Sequence, residues 1–273
     1  MPTLTAGPAS VSVDRAHGAR LSSLLVHGHE LLVTRPVDTT PTEPADPLLW
    51  GSYPMAPWAG RTRGGRFRWD GTVHELDANH AGHAMHGTLF DRRWTLELAD
   101  ARYLRFRADL QPGWPFPGWA IQEVALSEHA VEVRLEVHSS GPTFPATAGW
   151  HPWFRRRREV GGSLSVDVDA TRWYPRGDDG LPLGHLEPPP ERGPWDDCFT
   201  GLHWPVTLTW PGALTLTMTS TCDHLVLYDQ QRHAICVEPQ SGPPDALNHL
   251  DWARLVRRHR PLVVETFWRW STP

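Results

Sequence analysis

The stretch Ala130-Val131-Glu132-Val133-Arg134-Leu135-Glu136-Val137-His138 alternates apolar and polar side chains without a break. A period of two places one set of side chains on a core and the other toward water, which is the pattern of a half-buried antiparallel strand. Leu164 to Asp169, Val206 to Trp210 and Leu214 to Met218 repeat it, and Ile235 to Val237 and Leu262 to Trp268 read as further strands. Turn signals punctuate these runs at Asp70-Gly71, Gly141-Pro142, Asp178-Asp179-Gly180 and Pro211-Gly212. Helix is expected only briefly, around Asp251 to Arg258 and as one turn near Ala246 to Leu250. The economical reading is an all-β sandwich.

The chain has 273 residues, enough for two average domains or for one large all-β domain. Pro188-Pro189-Pro190 and the segment from Pro41 to Pro47 read as loops, because strands of the same style flank them, and no internal repeat is found. A single domain over 1–273 is therefore expected. Hydrophobic residues make up 40% of the chain and there are fifteen Trp, which suffices for a sizeable core. A net charge of −5 argues against a nucleic-acid partner. No apolar run reaches the roughly 18–20 residues that span a bilayer. The start, Met1-Pro2-Thr3-Leu4, lacks the basic and apolar stretches of a signal peptide. Cys198, Cys222 and Cys236 form no C-x-x-C pair and read as buried thiols. A cytoplasmic protein is expected; the oligomeric state is left open. The chain contains no lysine, so all 26 cationic side chains are Arg. That excludes Schiff-base chemistry, pyridoxal-phosphate attachment and a P-loop lysine.

Three segments distant in the chain each set a proton-transfer side chain beside a residue that stiffens or turns the backbone. They are Met85-His86-Gly87, Gly149-Trp150-His151-Pro152-Trp153-Phe154 and Val237-Glu238-Pro239-Gln240. Two imidazoles and a carboxylate, brought together by the fold, make an acid/base site for near-neutral pH. His80, His83 and His86 also invite a metal reading, but three-residue steps share a face only in a helix, and no helical periodicity is present here. His86 is thus a candidate catalytic or sugar-binding residue, and His80 and His83 read as solvated loop residues. Pro152 biases His151 toward an extended backbone, and the flanking aromatics offer a dry face to a sugar ring. Glu238 reads as closing a strand at its apolar end, where desolvation would raise its pKa and make it a better base. Arg61, after Gly60, can reach a ligand hydroxyl across a tight turn. Asp196 lies among aromatics in Trp195-Asp196-Asp197-Cys198-Phe199, either as a binder of sugar hydroxyls or as a turn residue. Arg155 to Arg158 reads as a solvated edge, with a phosphate patch as the alternative.

Taken in order, these segments resemble the aldose 1-epimerase (galactose mutarotase-like) family from roughly residue 15 to 270. Gly60-Arg61, Gly65-Arg66-Phe67, His86-Gly87, the Gly113 to Gly118 segment, His151-Pro152-Trp153-Phe154, Leu181 to Gly184, Trp195-Asp196 and Glu238-Pro239-Gln240 carry the resemblance. It implies a large antiparallel β-supersandwich with an open sugar cleft, a small monosaccharide as substrate, and no metal or other cofactor. It also implies that Glu238 is the general base on the anomeric hydroxyl and His151 the general acid on the ring oxygen. His86 would support the charged oxygen, with Arg61 and Asp196 holding other hydroxyls. The expected activity is anomer interconversion of a free hexose such as galactose or glucose. The rivals are a hexose 6-phosphate substrate, suggested by the Arg run with Arg61 and Arg63, and a non-catalytic sugar sensor. Thr62 stands where the family often has Asn, and Thr88 where a second Gly often follows, so the sugar preferred is the open point.

Overall fold

Strand pairing follows the alternating runs closely. The computed structural model describes residues 1–36, 45–157 and 162–273, so most of the Pro41 to Pro47 loop and Arg158 lie outside the described residues. Among these residues one sheet has eight strands, in the spatial order Thr95–Asp100, Tyr103–Asp109, Gly118–Leu126, Ala130–Ser139, Leu262–Ser271, Leu214–Ser220, Val206–Trp210 and Ser165–Asp167. Every neighbouring pair is antiparallel. The larger sheet has ten strands and runs through Thr3–Ala6, Ala9–Asp14, Arg20–Val26, Ser52–Met55, Gly149–Arg155, Ala234–Gln240, His224–Tyr228, Asp196–Leu202 and Ala170–Tyr174, with His29–Glu30 on Arg20–Val26.

The inner faces of the two sheets share one apolar core. Val11, Leu24, Trp150 and Val237 from the larger sheet pack in the same cluster as Phe106, Val133, Leu216 and Trp268 from the smaller. Burying each such side chain stabilises the fold by roughly 1.5–3 kcal/mol. One polar link crosses this core: Trp150 Nε1 donates to Gln122 Oε1 at 3.0 Å, and Gln122 Nε2 donates to the Ala19 carbonyl at 2.5 Å. Both partners are buried, and both are satisfied on these atoms, so the link fixes the height of the strand that also carries His151.

Two expectations need correction. Asp251 to Arg258 is not helical. Arg254–Val256 is a strand paired with Phe144–Ala146, with Val256 buried opposite Phe144, and the pairing gives its backbone groups partners that a short helix could not match. The single turn at Ala246–Asn248 is present as a 3₁₀ turn. Glu238 does not close a strand; Ala234–Gln240 continues through it, so the carboxylate lies inside a fully buried strand. The first three strands passed unread, although Ala9–Asp14 alternates buried and half-buried side chains as regularly as later runs.

Candidate active site

A single register row across six adjacent strands builds the floor of a cavity. His151 pairs with Tyr53, Glu238 with Val226, Val226 with Cys198, and Cys198 with Tyr174. The flanking pairs Gly149 with Gln240 and Trp153 with Cys236 set His151 opposite Glu238. The row therefore reads Tyr53, His151, Glu238, Val226, Cys198, Tyr174, and all six line a cavity of about 170 Å³. Because side chains alternate along a strand, the next row on the same face is Trp153, Cys236, Tyr228 and Asp196. Trp150, between His151 and Gly149, faces the inter-sheet core instead. Of the aromatics beside His151 in sequence, Trp153 is the one that shares its face.

His151 stacks with two rings, Tyr53 at 4.8 Å and Trp153 at 5.3 Å. Its Nε2 lies 3.1 Å from Glu238 Oε1. Burial drives both groups toward their uncharged forms. It lowers the His151 pKa to about 3, and it pushes the Glu238 carboxyl well above its ordinary range, with Asp196 adding to the rise and Arg61 opposing it.

His86 and Arg61 enter from a separate two-stranded ribbon, in which Arg61 pairs with Met85 and the His86 N–H donates to the Gly60 carbonyl at 3.0 Å. His86 is left-handed, at φ 63°, and the following Gly87, at φ 80°, packs so tightly on Ala56 that any Cβ there would collide with the Ala56 carbonyl. This turn, which only glycine fits at its second position, sets the His86 ring edge-on to His151 at 5.0 Å. Burial, and then His151, lowers the His86 pKa well below the ordinary imidazole value. Two buried ring nitrogens, His86 Nδ1 and His151 Nδ1, have no hydrogen-bond partner.

Asp196 is bracketed by two guanidinium groups, Arg61 Nη2 and Arg176 Nη1, each 3.5 Å from Asp196 Oδ2. Arg176 also donates from Nε to Asp197 Oδ1 at 3.1 Å. All five residues expected at the site, Arg61, His86, His151, Asp196 and Glu238, thus line one cavity. Sequence reasoning passed over Arg176, Tyr174, Tyr53 and Tyr228, whose surroundings carry no motif. Only the place of the three tyrosines opposite His151, Cys198 and Asp196 on neighbouring strands could have signalled them, and Arg176, beyond the end of its strand, had no such signal.

Arg155 and Arg156 of the Arg run look elsewhere. Arg155 donates to the Leu32 carbonyl and to Thr34 Oγ1, and Arg156 donates to the carbonyls of Gln231 and Asp229. Arg63, itself exposed, pairs with Asp179 at the surface and with the buried Asp245. None of these three lines the cavity. The His80, His83, His86 trio does not gather either: His80 is exposed at the rim and His83 accepts from the Gly64 N–H. Among the described residues the group with donor atoms close enough to hold a cation is His151, Cys236 and Glu238, all within 4.8 Å of one another and all buried.

Comparison with known proteins gives the family and the fold. A family model described as aldose 1-epimerase matches residues 3–260, and the chain belongs to that family. Membership implies a carbohydrate epimerase acting on a small-molecule sugar. The chain is 25% identical over 255 residues to the uncharacterized protein YihR of Escherichia coli strain K12, covering 85% of this chain and 80% of that one. Its fold matches a galactose mutarotase-like protein from Clostridium acetobutylicum with a TM-score of 0.85 at 15% identity, over 99% of this chain and 95% of that one. It also matches a galactose 1-epimerase from Lactobacillus acidophilus, with a TM-score of 0.78 at 17% identity, over 98% and 92% of the two chains.

Proposed function

We propose that this protein is an aldose 1-epimerase that interconverts the α and β anomers of a free hexose such as galactose or glucose. The observation that carries the reading is the 3.1 Å contact between His151 Nε2 and Glu238 Oε1 on the floor of a buried, aromatic-walled cavity. Anomer exchange acts on two oxygens of one hemiacetal carbon, so its base and its acid must both come within hydrogen-bond reach of one small group of atoms, as two side chains on one cavity floor can.

The steps balance without an outside reagent. With Glu238 ionised and His151 protonated, Glu238 takes the proton of the anomeric hydroxyl while His151 gives its proton to the ring oxygen. The C1–O5 bond breaks, C1=O forms, and an open aldehyde results with Glu238 protonated and His151 neutral. Burial favours that uncharged pair, so the site stabilises the state that accompanies the open chain. Rotation about C1–C2 presents the other carbonyl face, and reversal of both transfers closes the other anomer. Passing the single proton across the 3.1 Å contact converts one form of the free pair into the other with no change in total charge. His86, neutral and with Nδ1 unpartnered, supports the oxygen that gains charge, and Arg61 and Asp196 hold remaining hydroxyls.

We take the whole chain, 1–273, to act as one unit. The placement of Arg63, Arg155 and Arg156 outside the cavity supports a neutral sugar over a hexose 6-phosphate. We also assign a cytoplasmic location, on the three buried, unpaired cysteines. The test is NMR or polarimetry on freshly dissolved α-glucose, α-galactose and glucose 6-phosphate. Wild type is expected to speed equilibration of a neutral sugar, and Glu238→Gln to lower kcat by roughly 10²–10⁴-fold. Sugar binding with no acceleration would make the protein a sensor, and faster turnover of the phosphorylated sugar would overturn the substrate assignment.

A further inference from the structure

Beyond the His151 and Glu238 pair, the floor row ends at Tyr174, and a chain of contacts leads from there out of the cavity. The Tyr174 phenol oxygen lies 3.3 Å from His224 Nε2. His224 Nδ1 lies 2.9 Å from Asp223 Oδ1. Arg254 Nη2 donates to Asp223 Oδ2 at 2.6 Å. Tyr174 and His224 are buried, and Trp252 packs edge-on against the Tyr174 ring at 5.4 Å. Arg254 reaches the surface, so the chain runs from the cavity floor to solvent.

The polarity of this relay follows from its outer end. Burial alone would raise the Asp223 pKa, but the hydrogen bond from His224 and the charge of Arg254 help hold the carboxyl below its ordinary range. An ionised carboxylate only accepts. His224 Nδ1 must therefore carry the proton in that contact, and when the ring holds that one proton Nε2 is an acceptor to which the Tyr174 hydroxyl donates. With its one proton so committed, the phenol oxygen has only lone pairs left.

We propose that Tyr174 is a substrate-positioning residue whose phenol oxygen accepts a hydrogen bond from a sugar hydroxyl, with its polarity fixed by Asp223 through His224. The proposal rests on the sugar-site reading above. It adds a fixed acceptor at the far end of the floor row from His151.

A double-mutant cycle on the purified full chain tests it. Tyr174→Phe deletes only the hydroxyl and is expected to raise KM for galactose or glucose by roughly 3- to 10-fold, with kcat within about twofold. In Asp223→Asn, Arg254 holds the amide oxygen and the NH₂ faces His224 Nδ1. The imidazole then takes the Nε2–H tautomer and donates to Tyr174, so the phenol oxygen loses its accepting role. KM should rise by a similar factor, and the Tyr174→Phe, Asp223→Asn double variant should be no worse than either single variant. Nitrogen-15 NMR of the histidine rings supplies a readout independent of turnover: His224 should be the Nδ1–H tautomer in wild type and Nε2–H in Asp223→Asn. Additive effects on KM, an unchanged KM in Tyr174→Phe, or an Nε2–H His224 in wild type would each overturn the relay. An active wild type with an indifferent Tyr174 rejects this proposal alone. A wild type that neither binds nor equilibrates either sugar, by calorimetry and NMR, rejects the site reading with it.

Discussion

Glu238 is the residue at which chemistry and stability pull in opposite directions. Burial, followed by Asp196, raises its folded pKa above the unfolded value. The folded state therefore keeps a proton that the unfolded state sheds as pH rises past the ordinary carboxylate range. Whatever stability that proton brings is full below the unfolded pKa and is lost as pH rises toward the folded one. Glu238→Gln is neutral at all pH values and escapes this loss. We expect it to raise stability at pH 7–8 by roughly 0.5–2 kcal/mol, a Tm gain of roughly 1–8 °C, and to raise it less at pH 4. Thermal unfolding at the two pH values checks this, and a gain larger at pH 4 would contradict it. His151 has the opposite sign: its folded pKa is lowered to about 3, so the neutral ring loses stability as pH falls below the unfolded value. Near-neutral pH is where both buried groups can be held uncharged or exchange one proton.

At the scale of the element, what matters is that two strands approach closely enough to hold His151 against Glu238. Gly149 is the close contact: a Cβ there would collide with the Pro239 carbonyl across the strand pair. Gly149→Ala is expected to push Gly149–Arg155 away from Ala234–Gln240 and lower kcat by about 10²-fold, since a displacement of about 1 Å can cost that much. Unchanged kcat in a variant with native-like circular dichroism would reject it. Strand identity was legible in the alternating runs, and Val206–Trp210 was read to the residue. The errors came where tertiary pairing overrode local pattern. Arg254–Val256 reads as a short helix until Phe144–Ala146 supplies a partner strand. Glu238 reads as a strand end because Pro239 follows it, yet the strand continues through Gln240.

The whole molecule depends on a few long-range ties as well as on its core. Arg20, fully buried, donates to the carbonyls of His17, Pro47, Trp50 and Phe90, and its guanidinium lies 4.0 Å over the Trp50 ring. It thereby fastens the 46–50 segment, which supplies one cavity wall, to the turn that follows His86-Gly87. In a chain without lysine this is a place where Arg is not interchangeable, because an ammonium has three donors and no planar fork. Arg20→Lys should leave carbonyls unsatisfied and cost about 3 kcal/mol, lowering Tm by on the order of 10 °C. A scanning calorimetry shift under 2 °C in the variant, a loss well below about 1 kcal/mol, would refute that role.

The sequence by itself determined the all-β class, the alternation that sorts core from surface, the resemblance to a family, and the residue types that gather at the cavity. Those are properties of local pattern and of side-chain chemistry, which need no partner to be read. Tertiary structure alone decided that His151 meets Glu238 at 3.1 Å, that Asp196 lies between Arg61 and Arg176, and that Arg155 and Arg156 face main-chain carbonyls away from the cavity. It also decided that Tyr174 ends the row and turns toward His224. The reason is register. A shift of one residue between two strands would send every one of these side chains to the other face, and register is fixed by contacts between segments far apart in the chain.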